Sequence, residues 1–140
     1  MAICELLLDA GVAAQHGRIR LSVTGVPSTP DLESGPHDVA VQDRDARPPG
    51  AVSGAGTILV ATWADDRGPV AVQVYDGRPD LTGWTLVHTA ELLVGTDGID
   101  VGTTDGAVDH WVPAPEGPTT IEVWVHDPAD RGEVTFVLSP

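Results

Sequence analysis

Along most of the chain, apolar residues recur at every second position. That is the period of a strand whose side chains alternate between two faces. Arg18-Ile19-Arg20-Leu21-Ser22-Val23 alternates cleanly. It predicts a strand with Ile19, Leu21 and Val23 toward a core and Arg18, Arg20 and Ser22 toward water. Val70, Val72 and Val74 alternate with Ala71, Gln73 and Tyr75. Ile121, Val123 and Val125 alternate with Glu122, Trp124 and His126, and Val134, Phe136 and Leu138 complete the series. Further strands are expected over residues 2–9, 57–63, 84–94, 98–101 and 108–112, with a short one at 39–42. Strands wet on one face and apolar on the other belong to antiparallel sheets.

The punctuation between these segments is turn chemistry. Tyr75-Asp76-Gly77, Thr96-Asp97-Gly98 and Thr104-Asp105-Gly106 each supply the positive-φ residue a tight turn needs. The 16 glycines and 12 prolines recur throughout and leave no room for a long helix. At most, residues 10–15 and 91–93 form helical turns. Residues 25–56 break the pattern. They hold Pro27, Pro30, Pro36, Pro48 and Pro49, alternate acids with arginines at 43–47, and include a Gly-rich turn at Ser53-Gly54-Ala55-Gly56. This reads as a long surface excursion, a kind of segment often kept for function. The expected fold is all-β: one domain over residues 1–140, an antiparallel two-sheet β-sandwich of about eight or nine strands. The excursion suits a crossover between sheets, and a closed barrel is the alternative.

Length and hydropathy agree with a single globular unit. A chain of 140 residues buries roughly 68% of its unfolded surface, enough for a core without staples. No apolar run approaches the roughly 20 residues that span a bilayer. Residues 4–9 are too short for a signal-peptide core and lack a basic leader, so a cytoplasmic location is expected. The single cysteine, Cys4, excludes an internal disulfide framework and is expected to be a small buried hydrophobe.

Charge changes the picture more. Twenty-one acids face seven bases, for a net charge of −14, and all seven bases are arginine. The absence of lysine and asparagine, whose codons are AT-rich, points to a GC-rich genome such as that of an actinobacterium; a salt-loving archaeon is the other source that fits. Direct nucleic-acid binding is disfavoured, because phosphate neutralisation needs a basic face. Docking on an anionic membrane is disfavoured too. A basic protein partner is favoured by steering, although an acidic surface is also a general habit of such genomes.

Candidate chemistry is sparse. His88, His110 and His126 fall on three strands with Asp109 and Asp127 beside two of them, but no short-spaced ligand pair occurs, so surface histidines are expected rather than a metal site. Asp97, Asp100, Asp105 and Asp109 match calcium-loop spacing poorly. There is no nucleophile elbow, phosphate-binding glycine loop, CxxC or HExxH. No cofactor and no enzymatic role are expected. Trp111 and Trp124 fall opposite their strands' valines. Either a bend turns them inward, or they anchor a partner, as tryptophan does at interface hot spots. The candidate partner-binding residues are Asp65, Asp66, Trp111, Glu122, Trp124 and His126.

The order Trp84-Thr85-Leu86-Val87, Glu91-Leu92-Leu93-Val94, Gly98-Ile99-Asp100-Val101, then His110-Trp111-Val112-Pro113-Ala114-Pro115-Glu116-Gly117 leading into Ile121-Glu122-Val123-Trp124-Val125 resembles the competence protein J family. These are small β proteins that include inhibitors of a DNA-entry nuclease. The resemblance covers residues 84–126 in motif and 2–138 in outline, and carries no individual functional residue across. It implies an acidic inhibitor or immunity-type protein that occupies the basic groove of a nuclease. Two other readings compete: a small-molecule or carbohydrate-binding sandwich with tryptophan platforms, and a structural subunit contributing strand edges to an assembly.

Overall fold

The computed structural model describes residues 4–12, 18–24, 51–54, 56–62, 68–103, 109–126 and 132–139. Ten strands run through them: β1 (Glu5–Val12), β2 (Arg18–Val23), β3 (Ala51–Gly54), β4 (Thr57–Ala61), β5 (Val70–Asp76), β6 (Thr85–Val94), β7 (Ile99–Gly102), β8 (Asp109–Val112), β9 (Gly117–Val125) and β10 (Glu133–Ser139). They form two five-stranded sheets. Sheet A has the order β1-β5-β10-β9-β6, and sheet B the order β3-β4-β2-β7-β8. The sheets pack face to face, β3 against β6 at one side and β1 against β8 at the other. The expected all-β sandwich is what the chain forms. Among the described residues no helix is long and apolar enough to cross a membrane.

The alternation read from the sequence builds the core. Val70, Val72 and Val74 of β5, Ile121, Val123 and Val125 of β9, and Val134, Phe136 and Leu138 of β10 are fully buried and line sheet A. Ile19 and Leu21 of β2, Ile58 and Val60 of β4, Ile99 and Val101 of β7 and Val112 of β8 meet them from sheet B. Burying each such side chain contributes about 1.5–3 kcal/mol relative to exposure. The Asp-Gly turns also form as expected, with Gly77 at φ +91° and Gly98 at φ +79°. Thr104-Asp105-Gly106 lies outside the described residues, as do 39–42 and most of the expected excursion.

Several expectations are corrected. Seven of the eight pairings are antiparallel, but β5 and β10 run parallel, with Val134 opposite Val72 and Phe136 opposite Val74. β3, inside the presumed excursion, is a strand that pairs with β4. Residues 91–93 continue β6 rather than turning into a helix, and Ala10–Val12 finish β1. Cys4 is exposed, because it precedes β1 rather than entering it.

The largest correction concerns β2. Arg18, Arg20 and Ser22 do point away from the core, yet all three are buried. β2 is the middle strand of sheet B and is covered on both faces. Arg20 lies in register with Gly102 of β7, which in turn lies opposite Asp109 of β8. With no side chain at Gly102, the arginine reaches across β7. Its guanidinium pairs with the Asp109 carboxylate, donates to the Ser22 hydroxyl, and donates through Nε to the Thr103 carbonyl at 3.0 Å. A buried charge is tolerable only when paired and hydrogen-bonded in this way. β10, the middle strand of sheet A, is likewise covered on both faces, with Thr135 and Val137 fully buried.

Candidate functional site

Three of the six candidate residues come together. β9 alternation sends Ile121, Val123 and Val125 into the core and leaves Glu122 and Trp124 on the outer face of sheet A, with His126 just past the strand end. Register extends this face sideways: Trp124 lies opposite Thr135 of β10 and Leu86 of β6, and Glu122 opposite Val137 and Thr89. A β-bulge between Leu86 and His88 puts Leu86 outside while Ala90, Leu92 and Val94 keep to the inside. No bend turns Trp124 into the core.

Two further groups reach this face from the segment between β5 and β6. Arg78 follows Gly77, whose amide is tied to the Leu138 carbonyl at 3.0 Å. The Arg78 fork donates to both oxygens of Glu122, Nε to Oε1 at 3.2 Å and Nη2 to Oε2 at 2.5 Å. Its guanidinium carbon stands 5.4 Å from the centroid of the Trp124 ring. The indole Nε1 of Trp124 donates to Oε1 of the same carboxylate at 3.1 Å. One carboxylate therefore receives an arginine fork and an indole N–H, while the ring beside it takes a cation–π contact. The Glu122 side chain is 15% exposed and that of Arg78 58% exposed.

At the other end of the segment, Trp84 meets His126 edge to face, with centroids 5.1 Å apart. His126 Nδ1 lies 3.4 Å from Glu133 Oε2 across the β9–β10 hairpin. Between Arg78 and Trp84 the segment is held by Asp80. Its carboxylate accepts from the Thr82 hydroxyl at 2.7 Å and the Thr82 amide at 3.1 Å. Those two bonds, the hydroxyl first, hold the Asp80 pKa below the usual carboxylate value.

The remaining candidates lie elsewhere. Trp111 sits on β8, the edge strand of sheet B, opposite Asp100, and is 58% exposed. Its Nε1 donates to the Asp97 carbonyl at 2.5 Å, so the ring lies over the β6–β7 turn. Asp65 and Asp66 lie outside the described residues. His88 and His110 are half-buried on different sheets, and burial lowers the pKa of His88. Among the described residues no three His, Cys, Asp or Glu side chains cluster as metal ligands would. Asp109 and His110 face opposite ways, as expected, since Asp109 pairs with Gly102 and His110 with Val101.

Sequence reading missed Arg78, Leu86 and Glu133. Arg78 is 44 positions from Glu122, so no local spacing announces the pair. The signal that existed was weak: an arginine just after an Asp-Gly turn, on a chain with few cations. What the cluster offers chemically is recognition, through a carboxylate and an indole set to receive a planar cation.

No protein-family model matches the chain, and no curated protein matches it in sequence. Two solved structures are similar in fold along nearly the whole chain. One is ComJ, inhibitor of the DNA degrading activity of NucA, from Bacillus subtilis, with a TM-score of 0.67 and 13% identity over 98% of this chain and 96% of that one. The other is described as crocagin biosynthetic gene J, with a TM-score of 0.57 and 13% identity over 99% of this chain and 98% of that one. At such identity the likeness concerns the path of the backbone. The chain has a ComJ-like fold, as its resemblance to the competence protein J family implied.

Proposed function

We propose that this chain is a cytoplasmic, acidic binding protein that acts as one domain to restrain a partner protein with a basic surface, a nuclease being the first candidate. The observation that carries this reading is the full-length likeness of fold to an inhibitor of DNA degradation, combined with a net charge of −14. A nuclease groove is basic because it must hold phosphates, and an acidic protein can compete for it. Such complementarity raises association rates toward about 10⁸–10⁹ M⁻¹s⁻¹ at low salt. The proposed contact surface is the outer face of sheet A around Glu122, Trp124 and His126, where aromatic and acidic groups lie side by side. Trp111 on β8 would form a second contact region, and Asp65 and Asp66 are proposed as contacts on the strength of the sequence alone.

The test begins with capture from a lysate of the native host at low and high salt, using a charge-reversed variant as the control. Captured proteins are then assayed for DNA degradation with and without the purified chain. The reading expects a basic partner released by salt whose nuclease activity falls in proportion to added protein. A capture that ignores salt and charge reversal, or a partner whose activity is unaffected, removes the proposal.

A further inference from the structure

The Arg78–Glu122–Trp124 cluster has the composition of a receptor for an arginine side chain, and the protein fills it with its own. We propose that Glu122 and Trp124 form a guanidinium-binding site on the outer face of sheet A, that Arg78 occupies it in the free protein, and that an arginine presented by a basic partner displaces Arg78 on binding.

The asymmetry of the pair supports this. Glu122 is fixed: it projects from the interior of β9, between β10 and β6, and its side chain is 15% exposed. It also accepts the Trp124 indole N–H, so carboxylate and ring are oriented together. Arg78 is the opposite. It lies in an irregular segment after β5, and its side chain is 58% exposed. A planar cation with a fork of donors matches a carboxylate edge and a ring face together, and lysine matches only the charge. Arg78 is the exposed partner of the pair, and one guanidinium can replace another on the same carboxylate at little cost to the fold.

Charge supplies the incentive. The chain carries 21 acids against seven arginines, so a basic partner is drawn to it by long-range attraction. The outer face of sheet A shows how an exposed guanidinium is held there. Arg78 then acts as a placeholder. It keeps Glu122 paired while the site is empty of partner, and it raises the threshold for a weak cation to enter. Leu86, exposed and in register with Trp124, gives the displacing arginine an apolar neighbour for its methylene stem.

This deepens the reading above, on which it rests for the existence of a basic partner. Its test needs no nuclease, so the two can fail separately. Blocked tripeptides Gly-Arg-Gly and Gly-Lys-Gly are titrated into the full-length protein while the indole N–H resonance of Trp124 is followed by NMR and assigned with Trp124→Phe. The Arg78→Ala protein is expected to bind the arginine peptide about threefold to tenfold more tightly than the unaltered protein. It should prefer arginine over lysine, and adding Glu122→Gln should abolish the difference. Equal affinity with and without Arg78 overturns the proposal, as does equal response to the two peptides. If Glu122→Gln does not fold, the comparison at Arg78, a mostly exposed residue, still decides.

Discussion

Replacing Gly98 by alanine should destabilise the protein by about 2–4 kcal/mol, by two effects that the fold lets one separate. Gly98 has φ +79°, in the left-handed region, where a Cβ costs about 1–2 kcal/mol. It is also crowded. An added Cβ would stand 2.5 Å from the carbonyl oxygen of Val112 and 3.2 Å from Nε1 of Trp111. The first of these is backbone of β8 and cannot swing aside, so the β6–β7 turn must shift, and with it the Gly98 carbonyl that accepts from the Thr24 amide at 3.0 Å. Gly83 supplies the comparison: φ +88°, with nothing within 4 Å of where a Cβ would stand. Gly83→Ala should therefore carry the conformational penalty alone, about 1–2 kcal/mol. Gly95 is open and outside the left-handed region. Gly95→Ala should stabilise by about 0.4–1 kcal/mol, because the unfolded chain loses freedom. Unfolding entropy of about 2.1 cal/mol/K per residue gives this chain about 0.3 kcal/mol per degree. In calorimetry, Gly98→Ala should then lower Tm by about 7–14 °C, Gly83→Ala by about 3–7 °C, and Gly95→Ala should raise it slightly. A Gly98→Ala protein no less stable than Gly83→Ala would refute the close approach of β8 to the turn.

Three other outcomes are expected. Phe136, the sequence's one phenylalanine, is fully buried at the centre of sheet A; Phe136→Ala should cost about 3–5 kcal/mol in urea unfolding, and a loss under about 1 kcal/mol would contradict its position. Asp109→Ala strands the Arg20 guanidinium, whose side chain is 8% exposed, while Asp109 itself is 36% exposed. A cost of about 1–3 kcal/mol is expected, between that of a surface pair and a buried one. Arg20→Met should cost less than Asp109→Ala because it leaves no buried charge, and the reverse order would count against the pair. Burial lowers the His88 pKa below its ordinary 6.5. Between that depressed value and 6.5 the unfolded chain binds more protons, so the His88 contribution to stability is lost as pH falls through this window. Urea midpoints at several pH values above the carboxylate range should show a shallower decline for His88→Gln than for the unaltered protein; identical slopes would exclude the effect.

Local pattern was legible in the sequence, and long-range placement was not. The alternations in β5, β9 and β10 placed Val70, Val72, Val74, Ile121, Val123, Val125, Val134, Phe136 and Leu138 in the core, and the outward position of Trp111 and Trp124 followed from the same rule; the burial of Thr135 and Val137 on the other face of β10 did not. Arg18, Arg20 and Ser22 show the limit. Alternation says which face a side chain takes, but not whether that face meets water, since that depends on which strand ends up in the middle of its sheet. β3 was hidden because Ala51-Val52-Ser53-Gly54 is short and sits beside Pro48 and Pro49, where turn chemistry dominates. The bulge in β6 shifts the period around Val87, which blurred residues 84–94 and let 91–93 pass for a helical turn. Of the site, Glu122, Trp124 and His126 share one strand and its end, so one alternation found them together. Arg78 joins them through the path of the backbone, which no local window contains.

The parallel pairing of β5 with β10 has a consequence for biosynthesis. Residues 133–139 join β5 to β9 at the centre of sheet A, yet the ribosome delivers them after β1 to β9 have been made. Until they emerge, β1-β5 and β9-β6 are separate ribbons, each offering a naked inner edge to any extended peptide nearby. Closure of sheet A then waits for β10, and that delay invites mispairing. Chaperone dependence or premature termination near residue 132 should accordingly leave an aggregating product rather than a trimmed native one.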